Sequence, residues 1–413
     1  MSIALPDEIL LLIFKDPKIG ISEYLSLCSS SKRLRRIVYP LLYQRVELVD
    51  NECHLFLRSI VNNPSLGLMV TYIFLAWDTY HQGKPVDSEA LPRFIEVASN
   101  RLPAAIREIA IAELSTGSES AEALLLLTLL PRLDELNLFP SARERPPFID
   151  THLFTIIKEG VMPTSLSTVY YSQDVTKPPF DLANLCAFFF QPSVKSIRAN
   201  LETGKAVEGD SEPQISSITD PRFHEVQKFY GKSSVETIDL LECSLLGAEI
   251  EVLLRLPKAL KSLRYDMAFP MVSATRFGSA IAHLSTSLEE LYISNFSFED
   301  DIELQGTIGS LKAFARLRVL RIPVDFLVGS GVNDSFEMHT LLPNRLEHFM
   351  LDAHASSGEW MGNVYSLLIA VWADPSSLPL LKKITICVAW IPDDKKWEAL
   401  LELAVKVRVS LVK

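Results

Sequence analysis

The first fifty residues carry apolar side chains at helical spacing. Leu5, Ile9 and Ile13 fall on one stripe, with Leu10 and Phe14 beside it. Pro6 suits a first helical position, where its missing N–H costs nothing, and Asp7 and Glu8 suit the first turn. Gly20 breaks the pattern, and Ser22 can cap a second helix beginning near Glu23, with Tyr24, Leu25, Leu27 and Cys28. A third helix follows from Lys32 through Val38 towards Pro40. Three short helices bury little surface, and such a unit is firmer when docked on a partner. The Leu-Pro edge with its apolar neighbours suits a docking face.

Beyond residue 44 the pattern changes to apolar-x-x-apolar-x-apolar. It recurs with central anchors at Ile73, Ile109, Leu136, Val169, Ile197, Ile238, Leu263, Leu291, Leu320, Phe349 and Ile384. The anchors stand roughly 25–36 residues apart, with one longer step from Ile197 to Ile238. Most copies follow a turn signal such as Pro103, Pro131, Pro163, Pro192, Pro343 or Pro379. Helix-like stretches lie between them: Ser88 to Asn100, Glu119 to Leu130, Asp181 to Phe190, Ala248 to Leu256 and Thr275 to Leu284. Strand, turn and helix at this period resemble a leucine-rich-repeat solenoid, an α/β fold. The resemblance implies a horseshoe with a parallel concave sheet and convex helices. The usual asparagine after the motif is mostly absent, and Cys243 stands there in one repeat.

Residues 45–413 are thus expected to form about 11–12 irregular repeats. Arg45 to Val49 reads as a strand and Glu52 to Val61 as a helix behind it. A last helix, residues 395–408, places Trp397, Leu400, Leu401 and Ala404 on one face and is expected to cap the array. Ser141 to Pro147, Leu201 to Pro221 and Gly329 to Ser335 read as insertions.

Composition narrows the function. The 413 residues are 48% hydrophobic and 22% charged, which suits a folded chain. Forty basic against 51 acidic residues give a net charge of −11, which disfavours nucleic acid and anionic membrane as partners. The run Ile9 to Phe14 lacks the positive flank of a signal peptide, and Ala123 to Leu130 is too short to span a bilayer. A soluble chain in the cytoplasm or nucleus is expected. The five cysteines are scattered and form no C-x-x-C pair, so neither a disulfide framework nor a zinc site is expected.

The N-terminal residues also carry a family resemblance. Leu5-Pro6-x-Glu8-Ile9-Leu10, Ile13-Phe14, Leu25-x-x-Cys28, Ser31-Lys32-Arg33 and Pro40-Leu41-Leu42-Tyr43 resemble the F-box, in the form common among fungi. The resemblance implies an F-box over residues 1–44 that binds a Skp-type adaptor, and through it cullin and RING subunits. It places Leu5, Pro6, Ile9 and Ile13 on the adaptor face, with Leu25 and Leu27 near it.

Chemical motifs offer little. His224-Glu225 starts a metalloprotease-like pattern, but Lys228 stands where the second ligand belongs. Gly231-Lys232-Ser233 imitates the end of a phosphate loop without its first glycine. No cofactor, metal or catalytic residue is expected. The expected role is a non-catalytic substrate receptor of a ubiquitin ligase, against the alternatives of a non-ligase scaffold or a ligand-sensing protein. The residue between the last two apolar positions of each motif points out of the sheet. Those positions include Phe74, Ala110, Asn137, Tyr170, Arg198, Asp239, Arg264, Tyr292, Arg321, Met350 and Thr385. From Tyr170 to Arg321 the row holds three arginines, two tyrosines and one aspartate, so Tyr170, Arg198, Arg264, Tyr292 and Arg321 are the expected target contacts. An acidic or phosphorylated protein segment would suit them.

Overall fold

A computed structural model describes residues 5–16, 18–49, 52–77, 88–140, 148–172, 182–200, 221–243, 245, 247–267, 273–295, 306–329, 338–353, 359–388, 394–407 and 410–412. The chain is α/β, with parallel strands joined by helices, and divides into two units. Of the three expected insertions, only end residues such as Pro221 and Gly329 fall among the described residues.

The first unit opens with α1 (Asp7–Phe14), α2 (Ile21–Ser30) and α3 (Lys32–Gln44). It continues through β1 (Arg45–Val49), α4 (Cys53–Asn62), β2 (Tyr72–Trp77), α5 (Leu91–Arg101), α6 (Ala104–Ser115), α7 (Glu119–Leu127), β3 (Glu135–Pro140), α8 (Phe148–Lys158) and β4 (Thr168–Ser172). Strands β1 to β4 pair in chain order, all parallel. Val46, Ile73, Leu136 and Val169 lie opposite one another across the sheet. Behind them α7 is apolar around most of its circumference, with Leu124 to Leu127 fully buried.

Four local readings change. Pro6 is the N-cap of α1 rather than its first residue. Helix α2 begins at Ile21 with Gly20 as its cap, because the Glu23 carboxylate reaches back to accept the Gly20 N–H at 3.0 Å. Helix α3 runs through Pro40 to Gln44, so the proline does not end it. The expected strand around Ile109 is helix α6. There Ile106, Ala110 and Leu114 form the buried stripe, while Ile109 is 48% exposed. The alanines at 104, 105, 110 and 112 favour a helix, and an apolar pair three residues apart fits a helix as well as a strand.

The second unit contains α9 (Leu182–Ala187), β5 (Ser196–Asn200), α10 (Arg222–Gln227), β6 (Thr237–Cys243), α11 (Gly247–Arg255), β7 (Ser262–Met267), α12 (Ala274–Ile281) and β8 (Glu290–Asn295). Then come β9 (Val319–Pro323), α13 (Val324–Val328), β10 (His348–Ala353), α14 (Glu359–Ala373), β11 (Lys383–Val388), α15 (Asp394–Lys406) and β12 (Ser410–Val412). Strands β5 to β12 also pair in chain order and in parallel. Ile197, Ile238, Leu263, Leu291, Leu320, Phe349 and Ile384 lie in one register and are buried. Helix α15 does not close the array, because β12 follows it and pairs with β11. Its inner face is Leu400, Leu403 and Ala404, with Leu401 turned outward.

One pattern in this unit escaped the sequence reading. The residue two before each anchor is charged with alternating sign: Lys195, Glu236, Lys261, Glu289, Arg318, Glu347, Lys382. The backbone carbonyls of the first six each accept two N–H groups from the next repeat, as Lys195 does from Glu236 at 2.8 Å and Thr237 at 3.0 Å, and that of Lys382 accepts the Ser410 N–H at 3.3 Å. Ion pairs join Lys261 to Glu236 at 2.5 Å, Arg318 to Glu289 at 3.1 Å and Lys382 to Glu347 at 2.6 Å. Shifting the pairing by one repeat would set like charges side by side, so the ladder favours the native register.

The Lys261 and Lys382 ammonium groups hold the Glu236 and Glu347 carboxyls below their usual value of 4.5. Depressed carboxylates contribute stability that is present above that value and lost as pH falls through their folded values. Urea melts should therefore hold steady from pH 5 to 8 and weaken below about pH 4.5. In Glu236→Gln/Glu347→Gln that acid loss should be smaller.

Candidate functional site

Two surfaces carry the residues singled out in the sequence. The first is the outer side of the N-terminal helices. Phe14, Ile37 and Val38 form a small core, with Leu10, Leu11, Ile19, Tyr24, Leu27, Cys28, Leu34 and Leu41 packed against it. The Tyr24 hydroxyl donates to the Phe14 carbonyl at 2.7 Å and ties α2 to the end of α1. Asp7 accepts from Arg33 at 2.8 Å and from Arg36 at 2.6 Å, which fixes the start of α1 against α3. These hydrogen bonds hold the Asp7 carboxyl below its ordinary value. Two of the basic residues in α3 are thereby used inside the unit.

Filling that core leaves a large apolar surface outside. Leu5, Ile9, Leu12, Ile13, Ile21 and Leu25 are all more than two-fifths exposed, and Pro6 is exposed beside them. Of the residues expected here, Leu27 is half-buried and packs on the core, so less of it faces outward than of Leu25. Leu12 and Ile21 were missed. The signal for them was the same helical spacing, since Ile9, Leu12 and Ile13 share one side of α1.

The second surface is the face of the sheet opposite the buried anchors. In the second unit the row reads Arg198, Asp239, Arg264, Tyr292, Arg321, Met350, Thr385, in register from strand to strand. Tyr170 belongs to the first unit, in register with Asn137 and Phe74. Ala110 lies in α6 and not in the sheet.

The arginines are not a surplus of positive charge. Arg198 pairs with Asp239 at 2.8 Å, Arg264 with Asp266 at 2.8 Å, and Arg321 with Asp352 at 2.9 Å. Asp266 and Asp352 are buried, and Asp266 also accepts the Ser294 hydroxyl. Three cations are matched by three carboxylates, so the row is close to neutral and the positive surplus expected for an acidic target is offset. The sequence signal was a polar residue three after the anchor: Asp266, Ser294 and Asp352 follow Leu263, Leu291 and Phe349 at that distance.

Reversing Arg264 or Arg321 to glutamate would set like charges against buried carboxylates and damage the fold rather than only a contact. Arg321→Ala should cost about 1–3 kcal/mol in urea denaturation, because it strips the buried Asp352 of its partner. Adding Asp352→Leu to that variant should recover part of the loss.

Among the described residues no group of three or more His, Cys, Asp or Glu could hold a metal ion, and no helix is long and apolar enough to cross a membrane. His224 and Glu225 lie in α10, and Gly231 to Ser233 lead towards strand β6. No protein-family model matches the sequence, and comparison with curated proteins returned no match.

Proposed function

We propose that this chain is the substrate-recognition subunit of an SCF-type ubiquitin ligase. The N-terminal helices bind a Skp-type adaptor, and through it a cullin and a RING subunit. The repeat sheet holds a protein target. The chain supplies no catalytic group; ubiquitin transfer to the target gains from proximity, through a raised effective concentration.

The observation that carries this reading is the outer surface of the first three helices. A core of a few side chains is crowned by exposed Leu5, Ile9, Leu12, Ile13, Ile21 and Leu25. Apolar side chains gathered in that number on so small a unit favour a permanent partner over water. The sequence resemblance names the class of partner.

Size-exclusion chromatography of the full chain with a purified Skp-type adaptor tests the reading. A stable co-eluting complex is expected. Separate elution of the two proteins at micromolar concentration would remove the adaptor from the account.

A further inference from the structure

The sheet face of the first unit differs from the arginine row: aromatic rings stand there beside carboxylates that no ion pair engages among the described residues. Phe74 and Phe139 lie 4.8 Å apart between ring centroids, and Phe139 and Tyr170 lie 5.1 Å apart, edge to face. The three rings are half-buried and make one aromatic platform across β2, β3 and β4.

Two carboxylates flank this platform. Glu47 is in register with Phe74, and Glu135 with Tyr72. Among the described residues neither has an ion-pair partner. Both act electrostatically on Tyr72. The Asn137 side chain gives its NH₂ to the Tyr72 hydroxyl at 3.0 Å, and its buried oxygen has no hydrogen-bond partner among the described residues. The face also holds one cation already: the Arg45 guanidinium sits 3.8 Å from the centroid of the Tyr72 ring.

Ring faces and carboxylates share one complement. A ring quadrupole attracts a cation, a carboxylate pairs with it, and the alkyl stem of lysine or arginine covers apolar ring surface. We propose that this face binds a basic protein segment, its lysine or arginine side chains laid over Phe74, Phe139 and Tyr170 with their charged heads towards Glu47 and Glu135. The proposal deepens the receptor reading by naming the chemistry of the target, and its test uses no adaptor, so the two can fail separately. A basic target also suits a chain of net charge −11, whose field would attract it from a distance.

The probe is a fluorescent peptide alternating lysine with alanine, titrated at physiological salt against the full-length chain. A peptide with glutamate at the lysine positions serves as control. Phe74→Leu/Phe139→Leu keeps apolar bulk while removing the rings, and thermal melts check that it folds. Weakening on the order of tenfold is expected for this variant, and a loss of similar size for Glu47→Gln/Glu135→Gln. Glu96→Gln, an exposed carboxylate on α5, should bind as the parent does. Equal affinity across all variants would reduce the attraction to net charge and overturn the site. Full binding by the leucine variant would overturn the role of the rings, and preference for the glutamate peptide would overturn the sign of the target.

Discussion

Leu291→Ala lowers the stability of the chain by about 2–5 kcal/mol, the usual cost of removing a buried leucine side chain. Leu291 has no exposed surface and sits on β8 between Leu263 and Leu320 of the neighbouring strands. Each repeat covers the anchor of the next, so the cavity cannot be filled without moving a strand. Urea denaturation followed by far-ultraviolet circular dichroism measures the change. Ile109→Ala is the contrasting variant. Both residues occupy the central position of the same sequence motif, yet Ile109 is 48% exposed on α6. Its replacement should alter stability by only about 0.5 kcal/mol. Equal losses for the two variants would mean that the strand register is wrong.

The second large effect is on association. Ile9→Asp/Ile13→Asp should abolish co-purification with a Skp-type adaptor and leave the melting curve nearly unchanged. Ile9 and Ile13 are 42% and 47% exposed, so two aspartates there disturb the isolated chain little. In an apolar interface each would be a charge without a partner, at a cost of several kcal/mol. That corresponds to a loss of affinity of about 100-fold or more. Leu27→Asp separates docking from folding: it faces the small core and should unfold the N-terminal helices instead. Undiminished capture by the double variant would place the adaptor elsewhere or nowhere.

The strands were legible because two signals coincide in them. Ile197, Leu263, Leu291 and Phe349 follow turns, and a buried side chain alternates with one facing away. The triplet around Ile109 shows where that logic fails. A spacing of three and then two also fits a helix, and only the neighbouring alanines speak for one. Leu401 was misassigned for a related reason: Leu400, Leu401, Leu403 and Ala404 are all apolar, so periodicity cannot say which of them face inward. The last turn of α3 was hidden by Pro40, whose usual reading is a helix end.

Charges were harder to read than apolar positions. Lys195, Glu236, Lys261 and Glu289 are far apart in sequence, and their alternation becomes visible only once the anchors are aligned. The same holds for Arg321, whose partner Asp352 comes from the next repeat. For Arg198 and Arg264 the partners were in view: Asp239 stands in the same outward row and Asp266 two residues after Arg264, and only the structure shows that the carboxylates engage the arginines. The aromatic platform of the first unit was hidden as well: Phe139 lies two residues beyond the position scanned for outward-facing side chains.

Hydrogen exchange on the full chain, alone and with a Skp-type adaptor, tests the central claim most directly. The account predicts added protection over Asp7–Phe14 and Ile21–Ser30, with strands β5 to β11 unchanged. Unchanged exchange in those two helices at saturating adaptor, or protection that falls on the sheet instead, would contradict it.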